Sequence, residues 1–143
     1  MTKHILCAVD LTHMDTEVTL LQRAAELATF YGATLSVVTV VPDYGMSIVG
    51  SFFKEGTMKA AVKEADKQLH AFVKTHVPDM KNVQHIVEVG ANVYEMILDA
   101  IKRADADLVV MGAHKPELMD RLQGPNSARV ARYAKCSVLI VRD

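Results

Sequence analysis

The sequence has no tryptophan, only two cysteines, four prolines and almost no excess charge among its 143 residues. Sixteen basic side chains are balanced by seventeen acidic ones, which leaves a formal net charge of −1. Nucleic-acid binders concentrate Lys and Arg on one face, so this balance argues against a nucleic-acid partner. No apolar run approaches the roughly 20 residues of a membrane span. The opening segment also reaches Asp10 too early for the hydrophobic part of a signal peptide. We therefore expect a cytoplasmic protein with no membrane insertion.

Residues that commonly carry chemistry are also sparse or unsuitably spaced. Cys7 and Cys136 do not form a CxxC pair and are predicted to be small buried thiols in or beside strands. The six histidines show no metal-ligand spacing, so no metal site is predicted. Neither GxxxxGK[ST] nor GxGxxG occurs. No nucleophile–base or His–carboxylate arrangement can be recognised from spacing, and no catalytic residue is predicted.

The pattern of apolar residues predicts the fold class. Half of the residues are apolar and 23% are charged, as expected for one folded domain over residues 1–143. Five β-rich runs alternate with four segments of helical periodicity. This alternation predicts an α/β fold with an open, doubly wound parallel sheet, strand order 3-2-1-4-5, and helices on both faces. The predicted strands are 5–9, 34–41, 83–89, 107–111 and 137–141.

Local signals predict where the helices begin and end. The first helix carries an apolar stripe that includes Phe30, and Gly32 is predicted to end it in the left-handed conformation. Asn92 is predicted to cap the third helix. The last helix is predicted to begin at Pro125 or Asn126 and to end near residue 134. The stretch between the second strand and the second helix has no clear periodicity and is a candidate functional loop.

The predicted topology directs the search for a site to one end of the sheet. Ligands of doubly wound sheets bind beyond the carboxyl ends of the strands, which here means near Asp10, Val40 and Gly112. A second glycine, Gly124, follows twelve residues after Gly112 and precedes a predicted helix whose N-terminus would attract an anion. The alternative is that both glycines only form turns and that the helix start is only capped.

Three segments carry a family resemblance: ILCAVD at 5–10, DLVVMGAH at 107–114 and AKCSVLIVR at 134–142. Together they resemble the universal stress protein family over nearly the whole chain. The resemblance implies an adenine nucleotide alpha hydrolase-like fold. It also implies an adenine held near Asp10 and the end of the second strand, with phosphates on the glycine loop and the helix after it.

The glycine loop departs from the motif of the ATP-binding members, G-x2-G-x9-G-[ST]. Gly112 matches the first glycine, whereas Lys115 occupies the place of the second. Gly124 matches the third glycine one residue early, and Pro125 replaces Ser or Thr. The pattern resembles a subgroup with Lys-Pro or Arg-Pro after the His and a Gly-x-Asn helix start. In such a variant, the Lys115 charge and the Ser127 hydroxyl would replace lost phosphate contacts.

The candidate nucleotide site combines the strand ends with this loop. It comprises Val9, Asp10, Thr12, Val40, Met111, Gly112, His114, Lys115, Gly124, Pro125, Asn126 and Ser127. For Asp10, the alternative role is to start a turn or cap a helix. The expected ligand is ATP, although AMP and ADP are not distinguished. The sequence does not decide whether Mg²⁺ accompanies it, because phosphates and waters commonly supply most of its ligands.

Three functions follow as hypotheses. The first is a nucleotide-binding regulatory stress-response protein, in which the ligand orders segments 42–56 and 113–124 and changes contacts with a regulatory protein partner. The second is a dimeric interaction module that binds no nucleotide, and the third is an ATPase with at most slow turnover. The apolar strand 137–141 would form an exposed sheet edge, and pairing of two such edges predicts a homodimer or a higher homo-oligomer.

Overall fold

The fold is organised around five parallel strands in the order β3-β2-β1-β4-β5, which confirms the predicted class and strand order. The computed structural model describes residues 1–42, 54–113 and 126–142, with the backbone alone for 54–56. The strands are β1 His4–Ala8, β2 Thr34–Pro42, β3 Gln84–Gly90, β4 Leu108–Gly112 and β5 Ser137–Val141. The helices are α1 Met14–Tyr31, α2 Lys54–His76, α3 Val93–Ala104 and α4 Asn126–Tyr133. A 3₁₀ turn at Leu11–His13 joins β1 to α1.

The three inner strands β1, β2 and β4 contain mainly apolar runs that are buried on both faces of the sheet. Ile5 of β1 lies between Leu35 of β2 and Leu108 of β4. One face of the sheet packs against α1 and α2, and the other packs against α3 and α4. Successive residues of β1 point to opposite faces, so Ile5 and Cys7 join the first core whereas Leu6 and Ala8 join the second.

Helix α1 ends as predicted, but one member of its apolar stripe is misplaced. Gly32 adopts φ 64° and its N–H donates to the carbonyls of Ala28 and Thr29. The prediction that Phe30 belongs to the stripe is wrong, because its side chain is 80% exposed. It packs edge-to-face on Tyr31 with ring centroids 5.1 Å apart. The helix buries Ala24, Ala25 and Ala28 in its second half, and Phe30 falls outside that face.

Helix α3 begins after Asn92, but the predicted side-chain cap does not form. Asn92 occupies the N-cap position with an extended backbone and makes no side-chain cap hydrogen bond. Its carbonyl accepts from Met96 N–H at 3.2 Å, so the backbone alone starts the helix. The helix ends at Asp105, which adopts φ 52°. Its last turn contains Lys102 and Arg103, which favour a helix C-terminus.

The two edges of the sheet are β3 and β5. Along β5 the side chains of Val138, Leu139 and Ile140 are only partly buried. Apolar side chains are thus still accessible at this edge. Among the residues that the structure describes, no helix is both long enough and apolar enough to cross a bilayer.

Candidate functional site

Asp10 directly follows β1 and organises the turn into α1. Its side chain caps the 3₁₀ turn, because Oδ1 accepts from the Thr12 N–H at 2.9 Å. Oδ1 also accepts from the Thr12 hydroxyl at 2.6 Å. Oδ2 lies 3.0 Å from His13 Nδ1. The capping role predicted as the alternative for Asp10 is therefore present, and a ligand contact by the same carboxylate stays a prediction.

The Asp10, Thr12 and His13 side chains form a polar cluster that sequence spacing did not reveal. Thr12 Oγ1 is also 3.0 Å from His13 Nδ1, so the three side chains are mutually connected. The sequence analysis recognised no His–carboxylate arrangement, but the 3₁₀ turn brings Asp10 and His13 together. Thr12 is exposed, as expected for a loop hydroxyl. A signal for this cluster was available in the Asp-x-Thr-His spacing across a turn.

The charge of Asp10 is maintained by its neighbours. Burial alone would raise the pKa of the carboxyl group, but hydrogen bonds from Thr12 and His13 outweigh this effect. The pKa of Asp10 is therefore held below its ordinary value. The crevice contains an ionised acceptor at neutral pH, which suits a ligand that presents an amino or hydroxyl group.

Val9 is hydrogen-bonded to β2, whereas Val40 lies beyond the last β1–β2 register pair. The last β1–β2 register pair is Ala8 with Val38, and Val9 N–H donates to Val38 C=O at 2.9 Å. In a parallel sheet, the N–H and C=O of one residue point to the same neighbouring strand, and those of the next residue point to the strand on the other side. Val40 lies two residues after Val38, so its N–H and C=O also point toward β1. Among the described residues, neither the Val40 N–H nor its C=O has a hydrogen-bond partner on that side. Val40 is half-buried, so the site offers an apolar wall with one donor and one acceptor.

Gly112 and Met111 form the β4 side of the crevice. Met111 is buried at 6% exposure and packs in the core on the α3 and α4 face. A Cβ at Gly112 would lie 3.3 Å from Glu17 Oε2 and 3.8 Å from the Leu20 side chain. The next residue, Ala113, donates its N–H to Val141 C=O at 2.9 Å. A larger residue at 112 would therefore push against α1, which explains a glycine at this strand end.

The remaining predicted site residues divide between the start of α4 and the segment before it. Asn126 and Ser127 open α4, with Asn126 half-buried and Ser127 only 7% exposed. The predicted contacts of His114, Lys115, Gly124 and Pro125 lie outside the described residues. Four of the predicted residues thus lie at the carboxyl end of a strand or in the helix that follows β4: Asp10, Val40, Gly112 and Ser127.

Glu17 is a residue of this region that the sequence analysis missed. It lies in the first turn of α1 and is only 2% exposed. Its Oε1 accepts from the Asp10 N–H at 2.8 Å. The signal was present in the helical periodicity, since Glu17 precedes Leu20 and Leu21 by three and four residues and so shares their buried face.

Cysteine and metal-binding chemistry contribute little at this site. Both cysteines are free thiols, and the prediction that they are buried is confirmed for Cys7 and wrong for Cys136, which is only partly buried beside β5. Cys7 is buried, and burial together with the Glu17 charge raises its pKa far above the ordinary value. The part of the chain that the structure describes contains no group of three or more His, Cys, Asp or Glu side chains that could hold a metal ion.

Comparison with known proteins places the chain in a family. The family model for the universal stress protein family matches residues 1–142. Universal stress protein A homolog 1 of Coxiella burnetii is 32% identical, over 97% of this chain and 95% of that protein.

Two solved structures with the same fold contain adenine nucleotides. A universal stress protein from Archaeoglobus fulgidus in complex with dAMP has a TM-score of 0.68 at 22% identity, covering 96% of each chain. A universal stress protein in complex with cAMP has a TM-score of 0.65 at 22% identity, covering 99% of this chain and 97% of that one. These likenesses agree with the fold that the sequence resemblance implied. On the match of the family model over 142 residues, the chain belongs to the universal stress protein family.

Proposed function

We propose that this protein binds an adenine nucleotide at the carboxyl ends of β1, β2 and β4 and acts as a regulatory stress-response protein. The observation that carries the proposal is the Val40 backbone, whose N–H and C=O point past the end of β1 and have no described partner there. Adenine presents a donor and an acceptor side by side along one edge, and Val40 presents the complementary pair. Complexes of two structural neighbours with dAMP and cAMP support this ligand class.

The other site residues fit the rest of a nucleotide. The Asp10 carboxylate, held in place by Thr12 and His13, can accept from a ribose hydroxyl or the exocyclic amino group. Gly112 and the first turn of α4, with the buried Ser127, lie where the family motif would hold phosphates. We expect ATP as the main ligand, with Mg²⁺ held mainly by its phosphates.

Further parts of the proposal concern assembly and role. We infer from Lys115 and Pro116 after His114 that the chain belongs to the variant subgroup with Lys-Pro at this place. We expect a single-domain, cytoplasmic protein in which the nucleotide changes how the protein contacts a regulatory partner. The partly buried apolar side chains of β5 support a homodimer through that edge.

Calorimetry of nucleotide-stripped protein with ATP, ADP and AMP tests the nucleotide site. We expect saturable binding, and Asp10→Ala should weaken it about tenfold or more, because a hydrogen bond to a charged group is lost. Asp79→Ala, which removes an exposed carboxylate outside the site, is the matched control and should bind as the wild type does. Absence of heat at millimolar ligand would remove the proposal and favour the interaction module. Mass spectrometry of ligand released from freshly purified, denatured protein provides an independent check.

A second candidate function is slow ATP hydrolysis, and the Asp10–His13 contact is the observation that favours it. A histidine oriented by a carboxylate is the usual arrangement of a general base. Phosphate release above background that is lost in both Asp10→Ala and His13→Ala would support this function. A rate that equals the background, or that both variants leave unchanged, would exclude it.

A further inference from the structure

Four aromatic and basic side chains of α3 and α4 contact one another in series. The Arg129 guanidinium lies over the Tyr94 ring, 5.1 Å from its centroid. The Tyr94 and Tyr133 rings are stacked with their centroids 6.2 Å apart, and the Arg132 guanidinium lies 5.6 Å from the Tyr133 centroid. We call this series of side chains the Arg–Tyr row, and its members in order are Arg129, Tyr94, Tyr133 and Arg132.

The row is accessible from solvent and is held on a fixed base. Arg129, Arg132 and Tyr133 are three and four residues apart, so they share one side of α4. Another side of the same helix is anchored in the core by Val130, which is fully buried. Tyr133 is 55% exposed. Because these side chains already rest against rings, they lose less conformational freedom when a partner binds than free side chains would.

The two guanidinium groups of the row have no acidic partner among the residues that the structure describes. Glu95 accepts from the Tyr94 hydroxyl at 3.4 Å and pairs with neither guanidinium. The segment 126–142 contains basic residues and no acidic one, and the basic residues are Arg129, Arg132, Lys135 and Arg142. Positive charge is therefore concentrated on α4 and β5 of a chain whose net charge is −1.

The chemistry of the row matches carboxylates carried by a polypeptide. A guanidinium that stacks by its face keeps its N–H donors in the plane, where two parallel hydrogen bonds to a carboxylate can form. Tyr and Arg are also residue types in which the binding energy of protein interfaces is concentrated. Nucleic acids fit less well, because their affinity depends on neutralising many phosphates and the chain has no excess of basic residues.

We propose that the Arg–Tyr row is a docking surface for an acidic segment of the regulatory partner protein. The proposal rests on the part of the proposed function that includes such a partner, and it does not depend on the nucleotide site. Asp or Glu side chains of the segment pair with Arg129 and Arg132. Apolar side chains between them pack on Tyr133, which is the more exposed of the two rings.

Selection from a phage-displayed library of random peptides tests this surface. The wild type should enrich peptides that contain Asp and Glu, and fluorescence anisotropy with a labelled copy of an enriched peptide then gives dissociation constants. Arg129→Gln combined with Arg132→Gln should weaken binding about a hundredfold, because hydrogen bonds to charged groups are lost at two positions. Binding to the wild type should also weaken as the salt concentration rises.

The matched control is Arg23→Gln, which removes the same charge from an exposed position of α1, on the other face of the sheet. This variant should bind the peptide as the wild type does. Tyr133→Ala should weaken binding severalfold, whereas Tyr133→Phe keeps the ring and should bind normally. Circular dichroism verifies that each variant is folded. An equal loss in Arg23→Gln would show attraction by overall charge and would overturn the proposal.

Other occupants of the row give different results. If the double arginine variant loses a dimer that the wild type forms in sedimentation, the row contacts a second copy and the proposal is overturned. It is also overturned if the wild type enriches no acidic peptides, if the double variant binds them unchanged, or if the row binds random-sequence DNA in their place. Calorimetry with ATP is a separate measurement, so failure of the nucleotide site leaves a positive peptide result standing, and the reverse also holds.

Discussion

The two ends of the sheet use their polar groups differently. At the amino end, His4 Nε2 lies 2.7 Å from Ser36 Oγ, and that hydroxyl donates to Gln84 Oε1 at 2.8 Å. The polar groups of three neighbouring strands are thus joined to one another across β1, β2 and β3. Asp107, just before β4, similarly accepts from the backbone N–H of Lys3 at 2.8 Å.

At the carboxyl end the strands stop at different heights and leave backbone groups without a strand partner. β1 ends its pairing at Ala8, while β2 continues to Pro42 alongside β3. Val40 is therefore paired on one side only. Among the described residues, uneven strand lengths and a polar turn leave the carboxyl end of the sheet open for the proposed ligand, whereas matched side chains close the amino end.

The largest effect is expected from removing the free donor at the open end. Val40→Pro deletes the N–H that faces the crevice without removing a ladder hydrogen bond, because this N–H points away from β3. Calorimetry should show nucleotide binding weakened about a hundredfold, since the buried acceptor of the base loses its partner. Val41→Pro, whose nitrogen faces β3, should instead lower the melting temperature. Equal nucleotide affinity in Val40→Pro and wild type would break the comparison.

A medium effect is expected at the closed end. Ser36→Ala removes the fully buried hydroxyl that joins His4 to Gln84. Urea unfolding should show a loss of about 1 to 2 kcal/mol, because two polar groups lose a partner. Nucleotide affinity should not change. A binding defect in this variant would mean that the two ends are coupled and not distinct.

The smallest effect is expected on the stability of the protein in mild acid. It concerns the amino end of the sheet, on the face that packs against α2. His85 stacks on His70 with ring centroids 3.6 Å apart. Burial, reinforced by the His70 charge and opposed by Asp66, lowers the pKa of His85. The folded protein then binds fewer protons than the unfolded chain, so stability should fall as the pH drops below about 6.5.

Melting temperatures at pH 7.5 and 5.5 test this expectation. The wild type should melt at a lower temperature at pH 5.5 than at pH 7.5, and the decrease should be smaller for His85→Gln. The open end should respond differently, because the lowered pKa of Asp10 keeps its carboxylate ionised over this range. An identical pH dependence in wild type and His85→Gln would remove His85 as the cause.

The fold was predictable because its signals are local and repeated. Continuous β-branched runs gave the strands, and Gly32, with φ 64°, marked the end of α1. The exposure of Phe30 and the missing side-chain cap at Asn92 could not be predicted in this way. Burial of Phe30 depends on which helix turns reach the sheet, and a cap by Asn92 depends on a side-chain rotamer that the sequence does not specify.

The site was predictable only at the level of strand ends. Asp10, Val40 and Gly112 follow from topology, since the carboxyl ends of parallel strands share one edge. The Asp10–His13 contact needed the 3₁₀ turn, and the placement of Glu17 needed the packing of α1 on β1 and β4. The first feature is a contact within a local turn and the second is a tertiary contact, and both involve residue spacings that are common in many sequences.

The most direct test of the account is a nuclear magnetic resonance titration of the ¹⁵N-labelled protein with AMP. Binding at the open end predicts that the backbone amide signals of Asp10, Val40 and Gly112 shift and saturate together, while those of His4, Ser36 and Gln84 stay in place. Unchanged signals at millimolar AMP, or shifts confined to the amino end of the sheet, would contradict the account.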